Sequence, residues 1–163
     1  MKIDTLKKLY VHELKDLYSA ENQILDALPK MIEAAADDDL RNAFEKHRKE
    51  TEGQVRRLEK IFRGLEFEPG GHKCSGMEGL LEEGDEVIKE IDVPEVRDAA
   101  MIGAAQRVEH YEMAGYGTAR ALAEQLGEHE AADLLAETLE EEGEADRILT
   151  RLAERSLNFQ AMA

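Results

Sequence analysis

The feature of this sequence that most constrains its fold is an apolar stripe that recurs at helical spacing in four long segments. In the first segment, steps of four and three residues link Tyr10, Leu14 and Leu17, and again Ile24, Leu28 and Met31. The chain is also rich in Ala, Leu, Glu, Lys and Arg, and it contains only three prolines and no tryptophan, which favours helices over a large sheet. We therefore predict an all-α fold.

Capping residues, prolines and glycines divide the sequence into four predicted long helices and one short helix. The predicted ranges are residues 4–36 for helix 1, 37–67 for helix 2, 75–91 for the short helix, 94–126 for helix 3, and from after Gly127 to about residue 157 for helix 4. Short connections make each pair of long helices antiparallel. This order predicts a single domain over residues 1–163, a ferritin-like four-helix bundle with a short extra helix in the crossover.

The negative charge of the chain argues against two classes of partner. Asp and Glu number 37 against 21 Lys and Arg, which gives a formal net charge of −16 at pH 7. This charge repels nucleic-acid phosphates and anionic membranes, so we expect neither as a partner. Because the sequence also lacks a signal-like N-terminus and any run of about 20 apolar residues, the expected location is the cytoplasm.

The single cysteine, Cys74, lies in a glycine-rich stretch between the two predicted hairpins. A lone cysteine cannot form a disulfide within the chain, and the neighbouring glycines are typical of an exposed loop. We therefore expect Cys74 to be exposed and to have no functional role.

Each long helix carries polar residues at positions of its core stripe where apolar residues are expected. In helix 1 the position holds Glu21, and in helix 2 the positions hold His47, Glu50 or Thr51, and Gln54. In helix 3 they hold Glu109 and then Glu112 or Met113. In helix 4 the position holds Glu142, and Asp146 lies one turn beyond it at the edge of the stripe. Apolar residues flank this layer on both sides, so we expect it inside the core.

Counting from the predicted turns places the glutamates at matching levels. Residues that face each other in an antiparallel hairpin lie at equal distances from its turn. The midpoint of residues 21 and 50 is 35.5, in the first predicted turn, and the midpoint of residues 112 and 142 is 127, the position of Gly127. Packing the two hairpins together is therefore predicted to gather five carboxylates.

Gathered carboxylates require neutralisation, because each uncompensated buried charge costs several kcal/mol against a domain stability of about 5–15 kcal/mol. Nearby basic residues such as Arg48 and Arg107 lie off the stripe. Shared protons neutralise one or two carboxylates, whereas five suit a pair of divalent cations, with iron favoured and manganese as the alternative. The predicted metal ligands are Glu21, His47, Glu50, Glu109, Glu112, Glu142 and Asp146.

The roles of some residues near this layer stay open. His47 is a ligand, a hydrogen-bond donor to a ligand, or an ordinary core histidine. His110 faces off the stripe. Tyr18 and Tyr116 either hydrogen-bond to carboxylates or carry radicals, or they are ordinary core tyrosines.

These motifs resemble those of the YciE/YciF-type stress-response family of the ferritin-like superfamily, which is related in architecture to rubrerythrins. The resemblance runs over nearly the whole chain and is carried by residues 13–21, 47–51, 74–80, 109–112 and 140–146. It implies that Glu21 is a terminal ligand, that Glu50 and Glu142 are ligands from helices 2 and 4, and that Glu109 and Glu112 are a pair from helix 3.

One departure from the superfamily pattern concerns the motif Glu-x-x-His. Gly53 follows Glu50 at that spacing, and Ala145 follows Glu142. His47 and Asp146 are the residues placed to replace the missing imidazoles.

The function that follows from the resemblance is a cytoplasmic di-iron carboxylate protein. Such a protein reacts with oxygen or peroxide to limit oxidative damage, as a peroxidase-like or ferroxidase-like oxidoreductase. The alternative is a non-catalytic stress-induced interaction or structural protein, a homodimer whose metal site is structural or empty. A third possibility, iron storage, requires a closed cage that no sequence feature indicates.

Overall fold

The computed structural model describes residues 2–163, and most of these residues lie in five helices. The helices are α1 at Leu6–Ala34, α2 at Asp38–Leu65, α3 at Ser75–Glu90, α4 at Pro94–Gln125 and α5 at His129–Leu152. A π-helical turn at Ala153–Leu157 and a last helical turn at Asn158–Gln160 follow α5. The described residues contain no strand, so the all-α prediction is confirmed, with α3 as a fifth helix of the fold.

Caps place the ends of α1 and α2 slightly inside their predicted limits. The hydroxyl of Thr5 caps α1 by accepting the backbone N–H of Lys8 at 3.2 Å. The predicted start at Asp4 is therefore wrong. Glu66 adopts left-handed backbone angles, φ 59° and ψ 36°, which end α2 before Phe67. At the other end of the chain, the π-helical turn replaces the predicted last turns of helix 4.

Helices α1, α2, α5 and α4 pack in a closed ring in that order, so that each contacts two neighbours. The three-residue connections at 35–37 and 126–128 make the α1–α2 and α4–α5 pairs antiparallel. Helix α3 lies outside this ring, against α1 and α4. Within residues 2–163, no helix has the length and apolar character needed to cross a membrane.

Two apolar clusters fill the ring on either side of a polar layer. One cluster includes Leu17, Leu58 and Leu135, and the other includes Ile24 and Leu149. The layer between them consists of buried polar side chains, namely Glu21, His47, Thr51, Gln54, Glu109, Glu112, Thr138 and Glu142. The predicted polar layer is therefore present in the core.

Cys74 is fully buried, so the prediction that it is exposed in a loop is wrong. Its thiol caps the start of α3 and lies 3.0 Å from the hydroxyl of Tyr111 and 3.1 Å from Asp16 Oδ2. The backbone N–H of Cys74 donates to Ser19 Oγ at 2.9 Å, and its carbonyl accepts from Gln23 Nε2 at 3.0 Å. These bonds to α1 hold the segment against the bundle despite its glycines.

Gly76 makes this arrangement possible, and its replacement gives a test. A Cβ at this position would lie 2.7 to 3.0 Å from the ring and hydroxyl of Tyr111. We expect Gly76→Ala to lower the free energy of unfolding by about 1–3 kcal/mol, because Tyr111 must move away from Asp16. Urea denaturation measures the change. Gly79→Ala is the matched control in α3, since an added Cβ there meets nothing within 4 Å. An equal loss in both variants would contradict the assignment.

Candidate metal centre

Four buried side chains from three helices converge in the polar layer. They are His47 from α2, Glu109 and Glu112 from α4, and Glu142 from α5, and each offers a ligand atom within 4.8 Å of the others. Helical spacing explains the α4 pair, because residues three apart lie on one face of a helix. We call these four residues the metal-site cluster. One imidazole and three carboxylates at such separations are a donor set for a divalent cation.

Glu21 of α1 extends the cluster. It is fully buried, and its Oε1 accepts a hydrogen bond from the hydroxyl of Tyr116. Burial, and then the charge of Glu142, raise the pKa of Glu21 to about 8. Of the roles left open for Tyr116, contact with a carboxylate is the one observed. Tyr18 instead lies 3.4 Å from Glu59, outside the cluster.

The carboxylates of the cluster have few basic side chains beside them to balance their negative charge. Burial, and then interactions with Glu142, raise the pKa of Glu109 and of Glu112 well above their ordinary range. Within residues 2–163, the one basic group that pairs with these carboxylates is His47, whose Nε2 lies 3.4 Å from Glu109 Oε1. The glutamates therefore share protons, or they bind a cation that replaces those protons.

Unpartnered polar atoms concentrate in this layer. Ten buried side-chain nitrogen or oxygen atoms in residues 2–163 have no hydrogen-bond partner, and seven of them belong to these five residues. The seven are Glu21 Oε2, both ring nitrogens of His47, Glu109 Oε2, both carboxylate oxygens of Glu112, and Glu142 Oε2. Buried polar atoms almost always have a partner, so the group fits a bound metal ion.

Glu50, a predicted ligand, lies outside the metal-site cluster. Its carboxylate is half-buried, and Oε1 lies 2.7 Å from Lys46 Nζ. Thr51 takes the core position instead, fully buried with its hydroxyl donating to the carbonyl oxygen of His47 at 2.9 Å. The choice between these two adjacent residues was open from the spacing, and the packing places Glu50 at the edge.

Asp146 also lies at the edge of the layer. Its Oδ1 accepts from Gln106 Nε2 at 3.2 Å and lies 3.3 Å from Nε2 of the exposed His110. The negative charge of Asp146 contributes to the raised pKa of Glu109, after burial and the nearer Glu142. Direct ligation by Glu50 and Asp146 stays a prediction.

A hydrogen-bonded chain behind Glu142 had no role in the sequence-based prediction. Gln54 donates from Nε2 to Glu142, and also to Glu141 at 3.0 Å. Arg57 donates to both carboxylate oxygens of Glu141, at 2.8 and 2.7 Å. Although burial acts to raise the pKa of Glu141, its hydrogen bonds with Arg57 and Gln54 lower it. The spacing of Gln54 and Arg57 on one face of α2 was the available signal for this support.

Similarity to known proteins extends over nearly the whole chain. Residues 5–162 match the model of a family described as a domain of unknown function, DUF892. The protein YciF of Escherichia coli K12 is 47% identical over 162 residues, which are 99% of this chain and 98% of that protein.

Solved structures share the fold. The crystal structure of the Escherichia coli stress protein YciF matches with a TM-score of 0.92 at 47% identity, covering 96% of this chain and 99% of that one. YcfI from Rhodopseudomonas palustris matches with a TM-score of 0.89 at 44% identity, covering 91% and 95% of the two chains. A protein from Xanthomonas campestris matches with a TM-score of 0.78 at 20% identity, covering 98% of this chain and 100% of that one. At this identity the match shows a shared fold alone. The resemblance predicted from the sequence is confirmed, and the chain belongs to the DUF892 family of YciF-type stress proteins.

Proposed function

We propose that this protein is a ferritin-like di-metal carboxylate protein that binds two divalent ions, iron in the native state, and reduces oxygen or peroxide. The observation that carries the proposal is the set of seven unpartnered buried polar atoms on Glu21, His47, Glu109, Glu112 and Glu142. Hard carboxylate oxygens with one imidazole suit iron or manganese. These five residues would hold the ions, with Glu50 and Asp146 at the edge.

The arrangement of the helices supports the ferritin-like assignment. A closed ring of α1, α2, α5 and α4, with one long crossover that carries α3, is the topology of a bundle with a single long connection. In such bundles, inward-facing carboxylates on all four helices form the metal site.

The surrounding residues would prepare the site for this chemistry. A pair of ferrous ions, when bound, would supply two electrons to one oxidant. Gln54 orients the carboxylate of Glu142, and Tyr116 orients that of Glu21, through the hydrogen bonds they donate. The apolar clusters above and below the layer limit the entry of water.

Metal analysis of freshly purified, iron-loaded protein tests the proposal. We expect about two iron ions per chain in the wild type and at most a trace in Glu142→Ala, because a central carboxylate donor is removed. Glu140→Ala is the matched control, since this glutamate of the same helix is 79% exposed. Wild-type protein that stays metal-free after iron loading would rule the proposal out. Turnover of peroxide or oxygen by the loaded protein then tests the activity.

A second candidate function is that of a homodimeric interaction protein with a structural metal site. It is favoured by large apolar side chains at the surface, including Phe159 at 75% exposure, Met162 at 83% and Val93 at 54%. Metal that stabilises the protein without supporting turnover, together with a concentration-dependent dimer in solution, would favour this second function.

A further inference from the structure

A mainly apolar cavity of about 30 Å³, partly open to solvent, lies between the helices of the ring beside the metal-site cluster. Its walls come from all four helices of the ring and include Ile24, Leu28, Phe44, Val108 and Leu149. Since a water molecule needs about 10–15 Å³ by this kind of measure, the cavity admits one small molecule of two or three heavy atoms.

One end of this cavity is polar and belongs to the metal-site cluster. His47 and Glu109 line it, with side chains that are 9% and 4% exposed. Lys46 and Glu50 also line the cavity, and they pair with each other at 2.7 Å. Both ring nitrogens of His47 and Oε2 of Glu109 are buried without a hydrogen-bond partner. A molecule in the cavity would therefore lie directly beside the proposed metal ions.

The apolar walls select among small oxidants. Hydrogen peroxide is strongly hydrogen-bonded in water, and its burial against aliphatic and aromatic carbon costs free energy unless those bonds are replaced. Such replacements come only from the four polar lining residues, His47, Glu109, Lys46 and Glu50, and the rest of the wall is apolar. Dioxygen gives up no hydrogen bonds on leaving water, so an apolar cavity of this size favours it.

A surface groove beside α3 adjoins this cavity. The groove, of about 610 Å³, shares four lining residues with the cavity, namely Ala27, Met31, Leu81 and Val108. Met31 and Leu81 are half-buried side chains without β-branching. Rotation of such side chains on the nanosecond scale opens a path for a molecule of two atoms.

We propose that this cavity is the dioxygen site of the protein, filled through the groove beside α3. The proposal rests on the proposed function for its source of electrons. Two ferrous ions held by the metal-site cluster would each give one electron to dioxygen and become ferric. Dioxygen would take up these two electrons and two protons from solvent and leave as hydrogen peroxide.

Xenon tests the cavity independently of metal, because it binds apolar cavities of this kind. In crystals of metal-free protein under xenon pressure, we expect one xenon atom near Phe44 and Leu149. Ala105→Leu fills the space from α4 and should abolish that peak. Ala27→Leu, at a half-buried position, is the second variant should Ala105→Leu fail to fold. Ala121→Leu on the exposed face of α4 is the matched control and should retain xenon. Ordered water in place of xenon would overturn the proposal.

Oxidation of the iron-loaded protein by two oxidants tests the role of the cavity. We expect Ala27→Leu to slow oxidation by dioxygen at least about tenfold while oxidation by hydrogen peroxide changes less than about twofold. Equal slowing with both oxidants, or no slowing with dioxygen, would overturn the assignment. Xenon binding by a protein that never takes up iron would instead place the failure in the proposed di-iron function, because the cavity itself would have passed its test.

Discussion

Glu112→Gln is expected to raise the stability of the metal-free protein and to abolish the stabilisation by iron or manganese. Glu112 is fully buried, and both of its carboxylate oxygens lack a hydrogen-bond partner. The amide keeps the shape of the side chain, removes one charge from the cluster, and adds a donor for the neighbouring carboxylates. At pH 8 we expect the metal-free melting temperature to rise by several degrees, since each 1 kcal/mol corresponds to about 2–4 °C at this chain length.

The same substitution should weaken metal binding by at least about 100-fold, because a central donor is lost. Thermal unfolding with excess chelator, and then with saturating Mn²⁺, measures both effects in one experiment. Glu140→Gln is the matched control and should show neither effect. A Glu112→Gln variant that is still stabilised by Mn²⁺ as strongly as the wild type would place the metal elsewhere.

The metal-free protein is also expected to lose stability as the pH rises from about 4.5 to about 8. Burial, and then the charge of Glu142, raise the pKa of Glu21 from 4.5 to about 8 in the folded state. Between these values the folded state binds more protons than the unfolded state, so the free energy of unfolding falls with rising pH, by a few kcal/mol in all. The raised pKa of Glu109 and of Glu112 acts in the same direction.

The lowered pKa of Glu141 does not oppose this trend in the same window. Glu141 has a lowered pKa in the folded state, so its contribution to stability is present above the ordinary value of 4.5 and is lost only as the pH falls below that value. Urea denaturation of metal-free protein at pH 5.5, 7.0 and 8.5 measures the expected slope.

Bound metal should reverse this pH dependence. Ligation requires deprotonated carboxylates, so the stabilisation by Mn²⁺ grows as the pH rises through the range in which the metal-free protein weakens. Without metal, the free energy of unfolding of Glu112→Gln should fall less steeply with pH, because the carboxyl group of Glu112, whose pKa is raised, is no longer present to titrate. Metal-free stability that increases from pH 5.5 to 8.5 would contradict the assignment of the buried glutamates.

The helices and the burial of the glutamates were predictable because both depend on local periodicity. A residue in a helix has a direction set by its position, so the stripe through Leu17, Glu21 and Ile24 was sufficient to place Glu21 in the core. Short turns gave the relative levels of the α4 and α5 glutamates, and the structure brings Glu112 and Glu142 together. The family resemblance followed from the same motifs.

Prediction was weaker where either of two adjacent residues could face the core, and where a segment lacked helical periodicity. Glu50 and Thr51 differ by about 100° around α2, and only the packing of α2 against its neighbouring helices decided which one faces the core. Cys74 was placed at the surface because glycines surround it. Its burial depends on bonds to Ser19 and Gln23, which lie more than fifty residues away in the sequence.

The sequence by itself determined an all-helical chain with a layer of glutamates in its core, because helical spacing is a local property. Only the tertiary structure decided which polar atoms lack partners, which carboxylates Gln54 and Tyr116 hold, and that an apolar cavity ends at His47. Each of these features joins distant segments, as in the bond from Tyr116 to Glu21 across 95 residues. Such contacts depend on how the helices rotate and pack against one another, which the spacing within one helix does not specify.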